Sequence, residues 1–138
     1  MLLQNVDFLT DIPTEQLSFL ASIAELRNYE RGDVLFRENG PSDSLFIIGS
    51  GNVKLFYKKQ FINELTENDA VGALGFFDQK PRIFTAICEN FCNILVIDSM
   101  AFYDLLEERV HISRYLLRHF VTELRGAITK GGLPDKYT

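Results

Sequence analysis

Short runs of β-branched and aromatic residues, separated by turn-forming residues, fill the sequence from Leu26 to Asp98. The runs cover residues 34–36, 45–48, 53–57, 61–62, 83–88 and 94–97. Glycine, asparagine, aspartate or proline stands between them at residues 31–33, 38–41, 49–52 and 89–90. Runs and turns at such close intervals predict many short strands. In a chain of 138 residues, this pattern is typical of a sandwich, a jelly roll or a barrel.

Helices are predicted on both sides of this β region. Before it, residues 12–16 resemble the opening turn of a helix. The apolar residues that follow at helical spacing are Leu17, Leu20, Ala21 and Ala24. After the β region, we expect Ser99 to cap a helix that runs to Arg109, with Asp98 near its positive end. The fold class predicted is therefore mainly β, with one N-terminal and two C-terminal helices.

The second C-terminal helix carries an apolar stripe that is wider than one packing seam requires. Its members recur every four residues at Ile112, Leu116, Phe120 and Leu124, with Leu117, Val121 and Ile128 beside them. The simpler interpretation docks this helix on its own β body alone. The alternative adds a contact with another chain, a homodimer through Ile112, Leu116, Phe120 and Leu124.

No repeat, linker or block of like charge divides the sequence, so residues 1–130 are expected to form one domain. Glycine and proline at residues 131–134 are expected to end the last helix, which makes residues 131–138 a flexible tail. Such a tail is too short for the helix-turn-helix of a DNA-binding protein.

The composition restricts the partners. Lys and Arg number 14 against 19 Asp and Glu, and the resulting net charge of −5 repels phosphate backbones and anionic lipid. No apolar run approaches the roughly 20 residues that cross a bilayer. The N-terminus lacks the basic start of a signal peptide. We therefore expect a cytoplasmic protein without a nucleic-acid partner or membrane insertion; the output domain or partner protein stays open.

Signals for catalysis or metal binding are missing from the sequence. Cys88 and Cys92 are interpreted as reduced thiols that pack like small apolar residues, with a redox pair as the alternative. His111 and His119 are accompanied by no His-x-His motif or His/Glu cluster. No serine or cysteine stands in a recognisable nucleophile elbow. We predict a non-enzymatic protein with no metal and no cofactor.

The segment of residues 68–82 differs from the strands around it. It combines Gly72 and Gly75, a stretch with helix potential, and the Pro81-Arg82 pair that opens the next strand. Glycines permit close backbone approach, free N–H groups at the start of a short helix attract an anion, and an arginine grips it through two nitrogens. The pattern predicts a phosphate pocket; the alternative is a plain turn with a surface arginine.

The order of these motifs resembles the cyclic nucleotide-binding domain, the module shared by catabolite activator protein and the regulatory subunit of protein kinase A. Residues 32–55 match its strand–turn–strand signature, residues 71–82 match its phosphate-binding cassette, and residues 105–109 resemble the helix before its lid. The resemblance covers nearly the full length. It implies a β jelly roll flanked by helices, a cyclic nucleotide between cassette and roll, and a C-terminal helix that repositions when the ligand arrives.

The family's cassette reads Phe-Gly-Glu-Leu-Ala, then Pro-Arg-Ala-Ala and a Thr or Ser. Its pattern is matched here by Gly72, Leu74, Pro81, Arg82 and Thr85. The resemblance implies that Arg82 binds the exocyclic oxygens of a cyclic phosphate, helped by N–H groups from Ala73 to Gly75. The ligand implied is cAMP or cGMP.

Three cassette positions depart from the family. Ala73 stands where the family has a glutamate that accepts a hydrogen bond from the ribose 2′-OH. The loss of such a charged acceptor costs about 1.5–3 kcal/mol. Ile83 and Phe84 replace two small residues, and strand alternation would place Phe84 on the face of Arg82, in the space of the sugar. The predicted ligand-binding residues are thus Gly72, Ala73, Leu74, Gly75, Arg82, Ile83, Phe84 and Thr85.

Two functions stay open. The first is a regulatory sensor that binds a cyclic nucleotide or a related phosphate compound and relays binding through residues 99–128. The second is an interaction module that keeps the fold for dimerisation or docking but has lost its ligand. Gly72, Pro81 and Arg82 favour the sensor, whereas the substitutions at Ala73, Ile83 and Phe84 favour the interaction module.

Overall fold

A computed structural model, which describes residues 1–131, contains eight strands in two four-stranded antiparallel sheets together with flanking helices. The strands are β1 (Ala24–Tyr29), β2 (Val34–Phe36), β3 (Ser44–Ser50), β4 (Val53–Tyr57), β5 (Gln60–Leu65), β6 (Ala70–Val71), β7 (Thr85–Cys88) and β8 (Cys92–Asp98). The α-helices are α1 (Thr14–Ser22), α2 (Ala73–Phe76), α3 (Ser99–Glu108) and α4 (Val110–Gly131), preceded by 3-10 turns at Leu2–Asn5 and Asp7–Leu9. The predicted jelly roll with flanking helices is confirmed.

The first sheet, with strand order β1-β8-β3-β6, is covered on both faces. Along β3, successive side chains point to opposite faces. Leu45 and Ile47 belong to the core beneath the helices, whereas Phe46 and Ile48 belong to the core between the two sheets. Burial on both faces explains why this strand is a continuous apolar run in the sequence.

The second sheet, with strand order β2-β7-β4-β5, closes the roll over the inter-sheet core. Val53, Ala86, Cys88 and Cys92 are buried in this core, and both cysteines are free thiols. Burial, together with the neighbouring Cys92, raises the pKa of Cys88 to about 12. The interpretation of the two cysteines as small apolar core residues is confirmed.

The boundary between β8 and α3 differs from the prediction. Asp98, not Ser99, caps α3: its backbone is extended, and its Oδ2 accepts a hydrogen bond from the Ala101 N–H at 3.0 Å. Ser99 is the first helical residue and is buried. The extended end of β8 gives Asp98 the backbone conformation that an N-cap needs.

Three other helix boundaries were predicted wrongly. Ala24, which continues the helical spacing of α1, is the first residue of β1. Helix α3 ends at Glu108, so Arg109 is its C-cap. Gly131 is still part of α4, and the rest of the predicted tail, residues 132–138, lies outside the described residues.

Helix α4 docks on the body through its N-terminal half, as far as Phe120. Ile112 and Leu116 are buried in the helical core, at 0% and 5% exposure, whereas Leu117 and Val121 are 67% and 47% exposed. Among residues 1–131, neither α4 nor any other helix is both long and apolar enough to cross a membrane.

Replacing Asp98 by alanine is expected to lower the free energy of unfolding by about 1 kcal/mol, because the helix loses its side-chain cap. Urea unfolding followed by circular dichroism measures this change. Asp104→Ala removes the same charge from an exposed position within α3 and serves as the control. Equal effects of the two substitutions would contradict the capping assignment.

Candidate ligand-binding site

The side chain of Arg82 is buried at 2% exposure, although it is charged. Its Nη1 donates to the carbonyl oxygen of Gly72 at 2.8 Å, and its Nη2 donates to the carbonyl oxygen of Ser44. The guanidinium lies over the ring of Phe36, with Cζ 4.2 Å from the ring centroid. Removal from water lowers the pKa of Arg82. This burial rules out the alternative of a plain turn with a surface arginine.

Among the described residues, Arg82 has no ion-pair partner and lacks an acceptor for one of its buried donors. A guanidinium has five N–H donors, and the buried Nε of Arg82 has no hydrogen-bond partner among the described residues. The ion pairs found within residues 1–131 do not include Arg82. Asp43 attracts the guanidinium without pairing with it. An unpaired buried charge is costly, so the position of Arg82 is one that an anion would stabilise.

The backbone of Arg82 is fixed by the turn after β2. The Arg82 N–H donates to the carbonyl oxygen of Gly40 at 3.0 Å, and the Asn39 N–H donates to the carbonyl oxygen of Arg82 at 2.8 Å. Asn39 has a φ of 66°, a conformation that asparagine tolerates better than most residues. The turn predicted at residues 38–41 therefore holds the arginine in place.

The two cassette glycines are required by their conformation and by their neighbours. Gly72 has a φ of 89°, and a Cβ at this position would overlap Nη1 of Arg82. Gly75 has a φ of 95°, and a Cβ there would overlap the hydroxyl of Ser42. Leu74 and Gly75 also depart from helical geometry, so α2 is a distorted turn rather than a regular short helix.

The residues after Arg82 do not follow the predicted strand. β7 begins at Thr85, so the alternation that would place Phe84 on the face of Arg82 does not apply. The ring of Phe84 instead lies edge-to-face with that of Tyr57, at a centroid distance of 6.2 Å. Ile83 is 45% exposed.

Two of the eight predicted residues line different cavities in the described part of the chain. Gly72 contacts Arg82, but Ala73 lines a cavity of about 490 Å³ between the N-terminal segment and α4. Leu74 is 57% exposed. Thr85 accepts a hydrogen bond from the Glu38 N–H at 3.1 Å and lines a separate groove of about 510 Å³.

Sequence reasoning missed two partners of the arginine. Phe36 stacks on the guanidinium, and Ser44 contributes only its backbone carbonyl. Phe36 lies in a recognised strand run, so a search for aromatic residues near the turn could have found it. Every residue has a backbone carbonyl, so the identity of Ser44 could not indicate this contact.

Aromatic contacts join the cassette to the C-terminal helices. Phe76 packs on Phe102 of α3 at a centroid distance of 4.9 Å, and Phe77 packs on Phe120 of α4 at 5.1 Å. The hydroxyl of Tyr103 in α3 lies 2.8 Å from the carbonyl oxygen of Phe76, to which it donates. Burial raises the pKa of Tyr103, which keeps this hydroxyl protonated as a donor. The cassette is therefore in direct contact with both α3 and α4.

The expectation that no His/Glu cluster exists is wrong. The imidazole of His119 lies close to two carboxylates, with Nε2 3.7 Å from Oε1 of Glu123 and 3.9 Å from Oδ2 of Asp7. His119 and Glu123 are four residues apart on α4, which was visible in the sequence. Asp7 is brought to them by the packing of α4 on the N-terminal segment.

Comparison with known proteins shows the family. The sequence profile of the "Cyclic nucleotide-binding domain" matches residues 26–109. A cGMP-dependent protein kinase of Drosophila melanogaster is 30% identical over 112 residues, which cover 75% of this chain and 12% of the kinase. The chain thus belongs to the cyclic nucleotide-binding domain family, and it spans only about a tenth to a fifth of the curated relatives that it matches.

Solved structures with the same fold include an N-terminal domain of a transcriptional regulator from Streptomyces coelicolor. It superposes with a TM-score of 0.84 at 24% identity, covering 92% of this chain and 94% of that one. The cAMP-bound protein PfPKA-R superposes with a TM-score of 0.73 at 26% identity, covering 96% of this chain and 46% of that one. These likenesses confirm the β-roll architecture.

Replacing Gly72 by alanine is expected to lower the free energy of unfolding by about 1–3 kcal/mol, because the residue is forced into a positive φ and its Cβ displaces Arg82. Gly126→Ala is the matched control, since no atom lies within 4 Å of a Cβ at this helical position. That change should stabilise the protein by about 0.5–1 kcal/mol. Chemical denaturation measures both, and a neutral Gly72→Ala would contradict the close packing described for this glycine.

Proposed function

We propose that this chain is a non-enzymatic regulatory domain that binds a cyclic nucleotide through the phosphate, with Arg82 as the anion-binding residue. The observation that carries the proposal is a buried guanidinium whose Nε has no partner and whose charge has no ion pair in the described part of the chain. A cyclic phosphate supplies both the missing acceptor and the missing negative charge.

The hydrogen bonds described for Arg82 use two of the five N–H donors of its guanidinium. One N–H of each terminal nitrogen is held by a backbone carbonyl, so Nε and the remaining terminal N–H groups can donate to two oxygens in parallel. The two carbonyls and the ring of Phe36 fix the plane of the guanidinium before a ligand arrives. A preorganised donor loses less entropy on binding.

The ligand class proposed is cAMP or cGMP. Two relatives support it, one named as a cGMP-dependent kinase and one described as cAMP-bound. Ala73 provides no carboxylate for a ribose 2′-OH, so affinity should be roughly tenfold to a hundredfold below that of a domain with glutamate there. The proposed setting is the cytoplasm, where the two free, buried cysteines fit a reducing environment.

The proposed output is a change in the position of α4. The ring of Phe77 touches Phe120 of α4 and also Phe8 of the N-terminal segment, at centroid distances of 5.1 and 5.3 Å. A ligand that moves the cassette changes these contacts. The change in the equilibrium between the two arrangements of α4 is limited by the difference in the ligand's affinity for them. The output domain or partner protein that senses α4 is a separate question.

Titration calorimetry with cAMP and cGMP tests the proposal. We expect binding below about 1 mM, lost in Arg82→Ala and weakened at least about tenfold in Arg82→Lys, which keeps the charge without the forked donors. Arg31→Ala removes an exposed arginine and should bind like the wild type. Thermal unfolding confirms that each variant is folded.

Absence of nucleotide binding below this concentration would contradict the proposal, and so would equal affinities of wild type and Arg82→Ala. Hydrogen exchange of residues 110–131, with and without nucleotide, tests the relay separately. Unchanged exchange in a protein that binds would leave the ligand site standing and refute the movement of α4.

The second candidate function is an interaction module, favoured by the apolar face that α4 leaves exposed. Leu117, Val121 and Leu124 are 67%, 47% and 41% exposed and recur at helical spacing. The predicted dimer residues need correction here, since Ile112 and Leu116 are buried in the chain's own core. Of the predicted set, Phe120 and Leu124 retain exposed surface for a partner.

Val121→Asp is expected to abolish a homodimer, if this face forms one, because it places a charge in an apolar contact. Thr122→Asp adds the same charge at an adjacent exposed position and should have little effect. Sedimentation velocity at high protein concentration measures the oligomeric state. A wild-type protein that remains monomeric would contradict dimerisation through α4.

A further inference from the structure

The cluster of Asp7, His119 and Glu123, named here the interhelix cluster, has the composition of a transition-metal site. One ligand atom from each residue lies within 4.8 Å of the other two. The imidazole is 14% exposed, and the carboxylates are 89% and 62% exposed. The cluster does not include Arg82, but it shares its cavity with Ala73 of the proposed nucleotide site.

Distances within the cluster are close to those of a coordinated ion. Ligands about 2.0–2.2 Å from a tetrahedral zinc ion are roughly 3.4 Å from one another. The Nε2 atom of His119 is 3.7 Å from the Glu123 carboxylate and 3.9 Å from the Asp7 carboxylate. The two carboxylate oxygens lie within 4.8 Å of each other. Both exposed acidic side chains must therefore move closer for three bonds to form, with water as the fourth ligand.

Surrounding residues favour a cation. The cluster is on the wall of the cavity of about 490 Å³, which Asp69 also lines, and the described residues lining it include no lysine or arginine. The ring of His119 packs edge-to-face on Phe120 at a centroid distance of 5.5 Å. The Nε2 atom of the imidazole faces the two carboxylates.

We propose that the interhelix cluster binds a divalent transition-metal ion, with zinc as the fitting example, through His119, Glu123 and Asp7. An imidazole nitrogen among the ligands favours zinc and its neighbours over magnesium or calcium, which prefer oxygen alone. Asp7 belongs to the N-terminal 3-10 turn, whereas His119 and Glu123 belong to α4. A bound ion therefore fastens α4 to the N-terminal segment, beside the Phe8–Phe120 contact.

Calorimetric titration of the full chain with zinc chloride tests this site. We expect one ion per chain, with affinity reduced at least about tenfold in His119→Ala and in Asp7→Asn. Asp7 is 89% exposed, so its substitution leaves the fold intact even if that of His119 does not. His111→Ala removes the other histidine of the same helix, which is exposed, and should bind zinc like the wild type.

Thermal unfolding provides a second readout. Zinc should raise the Tm of the wild type and of His111→Ala, because it binds the folded state, and should raise that of Asp7→Asn less. The proposal is overturned if zinc fails to bind below about 1 mM, if Asp7→Asn and His119→Ala bind as tightly as the wild type, or if His111→Ala abolishes binding. These outcomes do not depend on nucleotide, so they leave the proposed function untouched.

Discussion

The burial of a charged guanidinium constrains the cassette, the turn after β2 and the start of β3 together. Arg82 occupies this position because the carbonyls of Gly72 and Ser44 accept two of its hydrogen bonds and Phe36 covers one face. The carbonyls satisfy donors but carry no full negative charge. The fold thus maintains a buried cation whose stabilisation is incomplete, which is the property expected of a binding site rather than of a structural core.

The two cores have different roles. The inter-sheet core fixes the roll and holds the strands that supply Phe36 and the Ser44 carbonyl. The helical core joins α1, α3 and α4 to the outer face of the first sheet, where Phe76 and Phe102 are buried together. Because Phe76 follows the distorted turn at Gly75, the cassette connects the proposed anion site to the helices. A zinc ion at the interhelix cluster would favour the docked position of α4, and so the two proposed sites act on the same helix.

Much of the fold was predictable from the sequence, but the site was predictable only in part. The alternation of short runs and turns predicted the strands, because β-branched residues favour a strand and glycine favours a turn at their own positions in the chain. Arg82 and Gly72 were placed together correctly. The start of β7 was predicted wrongly, because the hydrogen bonds of Arg82 to Asn39 and Gly40 join residues that are distant in the sequence. The cluster of Asp7 with His119 was missed for the same reason: its members meet only through tertiary packing.

The nitrogen resonance of Arg82 Nε tests the account most directly, because this atom is the buried donor without a partner. In a ¹⁵N-labelled sample, the Nε–H signal of Arg82, assigned by its loss in Arg82→Lys, would be followed during titration with cAMP and with adenosine. The account predicts a shift of this signal with cAMP and none with adenosine, which lacks the phosphate. A signal that stays unmoved by cAMP, while the nucleotide binds elsewhere on the chain, would contradict it.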